Sequence, residues 1–155
     1  MSMWMALWAA PASLGFAMIF NVRRTALPLV AAIAVLAKLI SMFCMQHGLA
    51  LLVADFLAAF VVGAIAYTIA PRLGEASPVF AFAPVIPLVP GSVIAKSFIT
   101  SFTTWVASPE QASTHTQDFV VAMSSGLSAA AILMALCLGA ISPMLLLPRA
   151  RTAED

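Results

Sequence analysis

The sequence predicts an all-α fold, a polytopic membrane bundle of about five transmembrane helices whose fourth is broken by proline and glycine. Three observations carry this expectation. Of 155 residues, 63% are apolar and 8% charged, whereas a soluble domain runs near half apolar and a quarter charged. The mean hydropathy of +1.08 leaves too little polar surface to cover such a core in water. The apolar residues also gather into five runs of membrane-crossing length separated by short polar turns, at about 20 residues per span. That arithmetic treats residues 1–155 as one integral membrane domain with no room for a soluble catalytic domain. A net charge of +1 with seven basic residues is too small for the phosphate contacts of nucleic-acid binding. Cys44 and Cys137 stand far apart in apolar runs, so neither a disulfide framework nor a metal site is expected, and no cofactor is implied.

The first run, residues 3–20, has no lysine or arginine before it. A secretory signal needs a positive leading segment, and here Arg23 and Arg24 follow the run instead, so it reads as a retained helix. The second, residues 26–45, ends at Gln46-His47-Gly48, a triplet long enough to turn a helical hairpin. The third, residues 49–70, is closed by Pro71-Arg-Leu-Gly74-Glu-Ala-Ser-Pro78, dense in turn formers. The fourth, residues 79–107, carries an internal interruption. Residues 108–118 are the most polar segment, and the fifth run, residues 119–147, is closed by Pro148-Arg-Ala-Arg151.

Basic residues beside spans stay on the cytoplasmic side. Five spans with the amino terminus outside place Arg23, Arg24, Arg72, Arg149 and Arg151 inside, and leave the outer loops, with Glu110 and Asp118, free of lysine and arginine. Trp4, Trp8 and Trp105 fall near outer ends of spans, where interfacial anchors belong. Ala59-Phe-Val-Val-Gly63 and Gly126-Leu-Ser-Ala-Ala130 are small-xxx-small patterns that let helix backbones approach closely. Ser124, Ser125 and Ser128, around the second pattern, read as packing. His47 and His115 read as solvated turn residues, and Tyr67 as interfacial.

Two lysines fall within spans. Lys38 lies ten residues before Gly48 and Asp55 seven after it, which puts both about 10–15 Å below the outer turn on adjacent antiparallel helices. An ionisable group in the bilayer interior is by default paired or facing a polar cavity. Asp55 and Lys38 are therefore read either as a structural ion pair or as an ion-coupling carboxylate with its cation. Lys96 has no carboxylate on its own span; it either snorkels to the interface or meets a substrate.

The fourth run reads Pro84-Val-Ile-Pro87-Leu-Val-Pro90-Gly91-Ser92. Prolines at 84, 87 and 90 withdraw three backbone donors, so a regular helix is expected to fail here, near the bilayer midplane. Irregular backbone at that depth is tolerated only where it is buried in protein or lines a wet cavity. Ser92 reads as the N-cap of a fresh helix, and Lys96 follows it by one turn on the same face. A helix start, a hydroxyl and an ammonium would converge on a volume suited to a carboxylate. The alternative is a proline-kinked helix whose prolines serve shape alone.

Leu14-Gly-Phe-Ala-Met-Ile-Phe20-Asn21-Val22, the Arg24-Thr25-Ala26-Leu27 start of the second run and Pro84-Val-Ile-Pro87-Leu-Val-Pro90-Gly91 together resemble the bacterial threonine/serine exporter family over nearly the whole chain. The likeness is to the split type, in which a separately encoded N-terminal-half membrane subunit completes a hetero-oligomer. The resemblance implies a subunit, in the bacterial cytoplasmic (inner) membrane, that exports threonine and serine or small dicarboxylates such as succinate. It makes Pro87, Pro90 and Gly91 substrate-site positions, with Ser92 and Lys96 beside them, and carries over Asn21 as part of the Phe-Asn-Val motif. Two departures stand out: Arg23 where the family commonly has proline after Asn-Val, and Ala95-Lys96 where it commonly has a tyrosine, a change toward a more anionic cargo. An accessory membrane subunit without a substrate site is the alternative function. An enzyme is not expected, because the chain has no His-Glu-x-x-His, no Gly-x-Ser-x-Gly and no second intramembrane aspartate.

Overall fold

The computed structural model describes residues 4–74, 76–106 and 116–146, and among these every regular element is helical. Seven α-helices follow one another: α1 Trp4–Leu7, α2 Ala9–Ile19, α3 Leu27–Gln46, α4 Leu51–Leu73, α5 Ser77–Val85, α6 Gly91–Val106 and α7 Thr116–Leu146, with a 3-10 turn over Ile86–Leu88. Three of them, α3, α4 and α7 from Phe119 onward, are long and apolar enough to cross a membrane, and the pair Phe80–Leu88 and Gly91–Thr103 makes a fourth if it counts as one broken span. Among the described residues, then, three helices or up to four meet that length, against the expected count of about five. The shortfall lies in the first run, which is divided at Trp8 into α1 and the eleven-residue α2. Pro11 is the physical reason, since its missing N–H leaves the carbonyl of Leu7 without its helical partner. Glu110, His115, Arg149 and Arg151, on which part of the loop reading rests, lie outside the described residues.

The chain divides into two compact units, one of residues up to Leu88 together with those from Ala135, the other Val89–Met134. In the first unit α5 packs against α2, α3 and α4, and the 3-10 turn lies against α2 and α3. The seam of that unit is the face of α4 that buries Ala54, Asp55, Ala58, Ala59, Val62, Gly63, Ala66 and Ala70. Nearly all of these are small. Helices in lipid gain little from hydrophobic burial against each other, so they associate by close backbone packing over such residues. The approach is close enough that a Cβ placed on Gly63 would meet the carbonyl oxygen of Ala140 at 2.2 Å, and one on Gly139 would meet that of Phe56 at 2.6 Å. The Ala59–Gly63 pattern is therefore a true packing face, answered by Gly139-Ala140. In the second unit Gly126 is looser, its added Cβ reaching only Ser97 Cβ at 3.8 Å.

Helix ends explain the turns. Asn21 has φ of 56°; Val22 N–H donates to Ala17 O at 2.9 Å and Asn21 N–H to Met18 O at 3.1 Å, the two bonds of a Schellman ending. Buried Val22 lies over buried Ala17 in that motif. Asparagine is the non-glycine residue best suited to the left-handed conformation. Gly48 repeats the motif after α3, with φ of 83° and Leu49 N–H donating to Cys44 O. Gly74 ends α4 with φ of 71°, and Arg23 Nη2 lies 3.5 Å from where its Cβ would be. The turn after α2 and the end of α4 are therefore neighbours, and a guanidinium there favours the negative end of the α4 dipole.

Two outcomes follow from this packing. Gly63→Ala should lower stability in detergent-based unfolding by about 1–3 kcal/mol through overpacking, whereas Gly15→Ala, which has nothing within 4 Å of the new methyl, should be neutral or stabilising by up to about 1 kcal/mol. Asn21→Gly should preserve the end of α2, while Asn21→Val, β-branched at positive φ, should destabilise by roughly 1–3 kcal/mol in the same measurement.

Candidate functional site

The polar groups singled out by the sequence fall in two places. The first is the amino-terminal end of the α4 seam. Asp55 sits one turn into α4, 1% exposed, and its Oδ1 accepts a hydrogen bond of 2.6 Å from Ser41 Oγ on α3, also 1% exposed. That length belongs to the charge-assisted range for a hydroxyl on a carboxylate. Oδ2 has no hydrogen-bond partner among the described residues. Lys38 is half-buried one turn further from the hairpin, and the hydrogen bond to the carboxylate comes from Ser41.

Ser41 is the residue that the sequence reading missed, and the signal was present. Gly48 turns the α3–α4 hairpin, and Ser41 and Asp55 are each seven residues from it, so equal rise along two antiparallel helices brings them level. Lys38, ten residues away, stands lower. A buried carboxyl oxygen without a donor is costly, so this arrangement has capacity to hold a proton or a small cation at Oδ2.

The second place is the broken fourth run. α5 continues through Pro84, which is fully buried, to Val85, and then tightens into the 3-10 turn that contains Pro87. The helix thus survives the first proline, contrary to expectation, because Pro84 lies near its end and few bonds remain to be lost; Ile86 N–H still donates to Phe82 O. The stop comes at Val89–Pro90, where the proline ring disfavours a helical residue before it. α6 begins at Gly91, with Val93 N–H and Ile94 N–H both donating to Pro90 O at 3.0 and 3.1 Å, and Gly91 N–H donating to Val89 O at 2.8 Å.

Ser92 is therefore the second residue of α6 and not its N-cap; the capping position is Pro90, whose carbonyl takes the first helical bond. Two of the first N–H groups are committed to chain carbonyls, which weakens the helix start as an anion site. What remains outward is side-chain chemistry. Gly91, Ser92 and Lys96 are exposed, Pro87 and Pro90 half-buried, and a Cβ on Gly91 would meet nothing within 4 Å. Pro87 belongs to the first unit and Pro90, Gly91, Ser92 and Lys96 to the second. Asn21 is exposed, and its evident task is the left-handed ending of α2.

The Ser41–Asp55 pair can be weighed by a double-substitution cycle. Ser41→Ala alone should cost about 1–3 kcal/mol, since it strips a buried carboxylate of its bonded partner, and the loss should shrink toward zero when Asp55→Leu removes the carboxylate as well. Unfolding of the four proteins in detergent measures it.

A chain of apolar helices with an isolated buried carboxylate and a proline-broken helix fits a transporter better than any catalytic centre, and no group of three metal-ligating side chains occurs among the described residues. No curated protein and no solved structure matches this chain. The model of the family described as threonine/serine exporter, ThrE, matches residues 5–146, and over that length the match is decisive: the chain belongs to the threonine/serine exporter family.

Proposed function

We propose that the chain is one half of a two-polypeptide secondary exporter, moving small carboxylate-bearing metabolites out across the bacterial inner membrane. The observation that carries this reading is the family match over residues 5–146. The cargo is threonine or serine, or a small dicarboxylate such as succinate. Recognition of its carboxylate falls to Lys96 and the Ser92 hydroxyl, one turn apart on the exposed face of α6. Pro87 and Pro90 hold the backbone open there, and Gly91 leaves room for the cargo to approach. Asn21 contributes through the turn after α2. The cation in place of the family's usual tyrosine favours the dicarboxylate end of this range.

Asp55 is the ion-coupling residue in this scheme. It lies inside an apolar span with one oxygen bonded to Ser41 and the other unbonded, so a proton or cation taken up at Oδ2 is felt in full by a dry environment. Lys38 biases the carboxylate by its charge. The end of the chain that carries Arg23, Arg24 and Arg72 faces the cytoplasm under the positive-inside rule, with the amino terminus outside and the carboxyl terminus inside. A separately encoded N-terminal-half membrane subunit completes the transporter.

Efflux of labelled serine, threonine and succinate from cells expressing this chain, with and without a candidate partner half, tests the proposal. Efflux of one cargo only when both polypeptides are present is the expected result; no efflux of any of the three from a correctly inserted complex would overturn it. In the active complex Lys96→Ala should cut transport of the preferred cargo by at least about tenfold, the loss of one charge-assisted contact, and unchanged kinetics would remove Lys96 from the site.

A further inference from the structure

α6 is divided lengthwise. Placed at 100° per residue, Ser92, Thr103, Lys96, Thr100, Thr104, Ser97 and Ser101 fall in one half of the helix, where Val93 is the single apolar residue among them. Ile94, Trp105, Phe98, Phe102, Ala95, Val106 and Ile99 fill the other. Within the second unit, α7 accounts for one edge of the polar half: Ser97 is buried and lies against Gly126, and Ser97 and Ser101, with Phe98 at the border of the two halves, line a small groove with Ala122, Met123, Gly126 and Leu127. Ser92, Lys96 and Thr103 are exposed on one side, and Phe98, Ile99, Phe102 and Trp105 are between 64% and 81% bare of contact on the other.

The aromatic side has a ready solvent in lipid. The hydroxyl side does not, since polar groups at membrane depth face the protein interior or a water-filled cavity. A helix lying flat on the membrane surface would also be two-faced, but such helices carry a strongly charged polar face rich in lysine and arginine. α6 has a single charge, Lys96, in sixteen residues, and the rest of its polar half is serine and threonine around the one apolar residue Val93. That composition suits a wall that is wetted and brushed by a small solute.

We propose that the face of α6 bearing Ser92, Lys96, Thr100 and Thr103 lines a water-filled path for a small carboxylate-bearing solute. Lys96 is the sole fixed charge on that wall, and Phe98, Phe102 and Trp105 turn the opposite face to lipid. The inference extends the proposed export function from a point of recognition near Gly91 to a path at least three helical turns long, and the identity of the solute rests on that function. Thr100 and Thr103 become path-lining positions, and Thr103 Oγ1, which donates to Thr100 O at 3.0 Å, remains able to accept from water.

Cysteine accessibility in the full chain, in membranes containing its partner half, tests the wall directly. In a Cys44→Ala/Cys137→Ala background, Thr103→Cys and Ser92→Cys should react with a small charged methanethiosulfonate reagent at least about tenfold faster than Phe102→Cys and Trp105→Cys, because a thiol in hydrocarbon stays protonated and inert. Two positions on each face keep the comparison meaningful if one variant fails to insert. Equal reaction of both faces, as for a helix lying on the surface, or reaction of neither polar position, overturns the proposal. Serine, threonine and succinate are then added as protectants. Slower labelling of Thr103→Cys by one of them ties the path to the proposed cargo; rapid labelling that none of the three slows leaves the path standing and overturns the cargo.

Discussion

The small-residue seam of α4 is the feature on which the first unit depends. Between lipid-immersed helices no hydrophobic force favours protein over solvent, so cohesion comes from backbones brought within van der Waals reach over alanine and glycine. Ala54, Ala58, Ala59, Gly63, Ala66 and Ala70 form that surface on α4, and Gly139-Ala140 answer it from the end of α7. The same seam holds Asp55. The carboxylate is set among methyl groups and 1% exposed, and the donor it finds among the described residues is a serine one helix away. Packing that close is what makes the unbonded oxygen consequential.

The second departure from regular, apolar structure follows the same rule in another form. Where Pro84, Pro87 and Pro90 withdraw donors, the chain does not leave the freed groups in lipid but tightens into a 3-10 turn and folds the next N–H groups back on the carbonyls of Val89 and Pro90. This self-satisfaction shifts the burden of recognising an anion from backbone to side chains. In the proposed function Ser92 and Lys96, both exposed near the beginning of α6, are those side chains. The proposed function assigns the buried carboxylate to an ion and the polar face of α6 to a cargo, and the family to which the chain belongs is one of threonine/serine exporters.

Much of this was legible in the sequence, for reasons of composition. The second and third runs were expected at 26–45 and 49–70 and occur as Leu27–Gln46 and Leu51–Leu73, because long apolar stretches bounded by glycine turns admit little else. The break before Gly91 was visible in its prolines, but its position was not, since a proline near a helix end costs few bonds and Pro84 is absorbed. Ser92 lost the cap to Pro90 because the proline's carbonyl was already placed to take the first bond. The first run was read as one span when Pro11 divides it, and Asn21 was read as a motif residue when its positive φ gives it a backbone task. Ser41 escaped notice because a lone serine in a span carries no signal of its own. Its register with Asp55 about Gly48 becomes meaningful only once the hairpin is known to be tight.

Coupling at Asp55 is the central claim, and gradient-driven transport tests it most directly. The complex of this chain with the proposed partner half, reconstituted in vesicles under an imposed proton gradient, should accumulate labelled cargo against its concentration. Asp55→Asn, which keeps the shape and the contact with Ser41, should still exchange cargo down its gradient but lose that accumulation. Accumulation by Asp55→Asn at the level of the unmodified chain would contradict the account and reduce the buried carboxylate to a packing element.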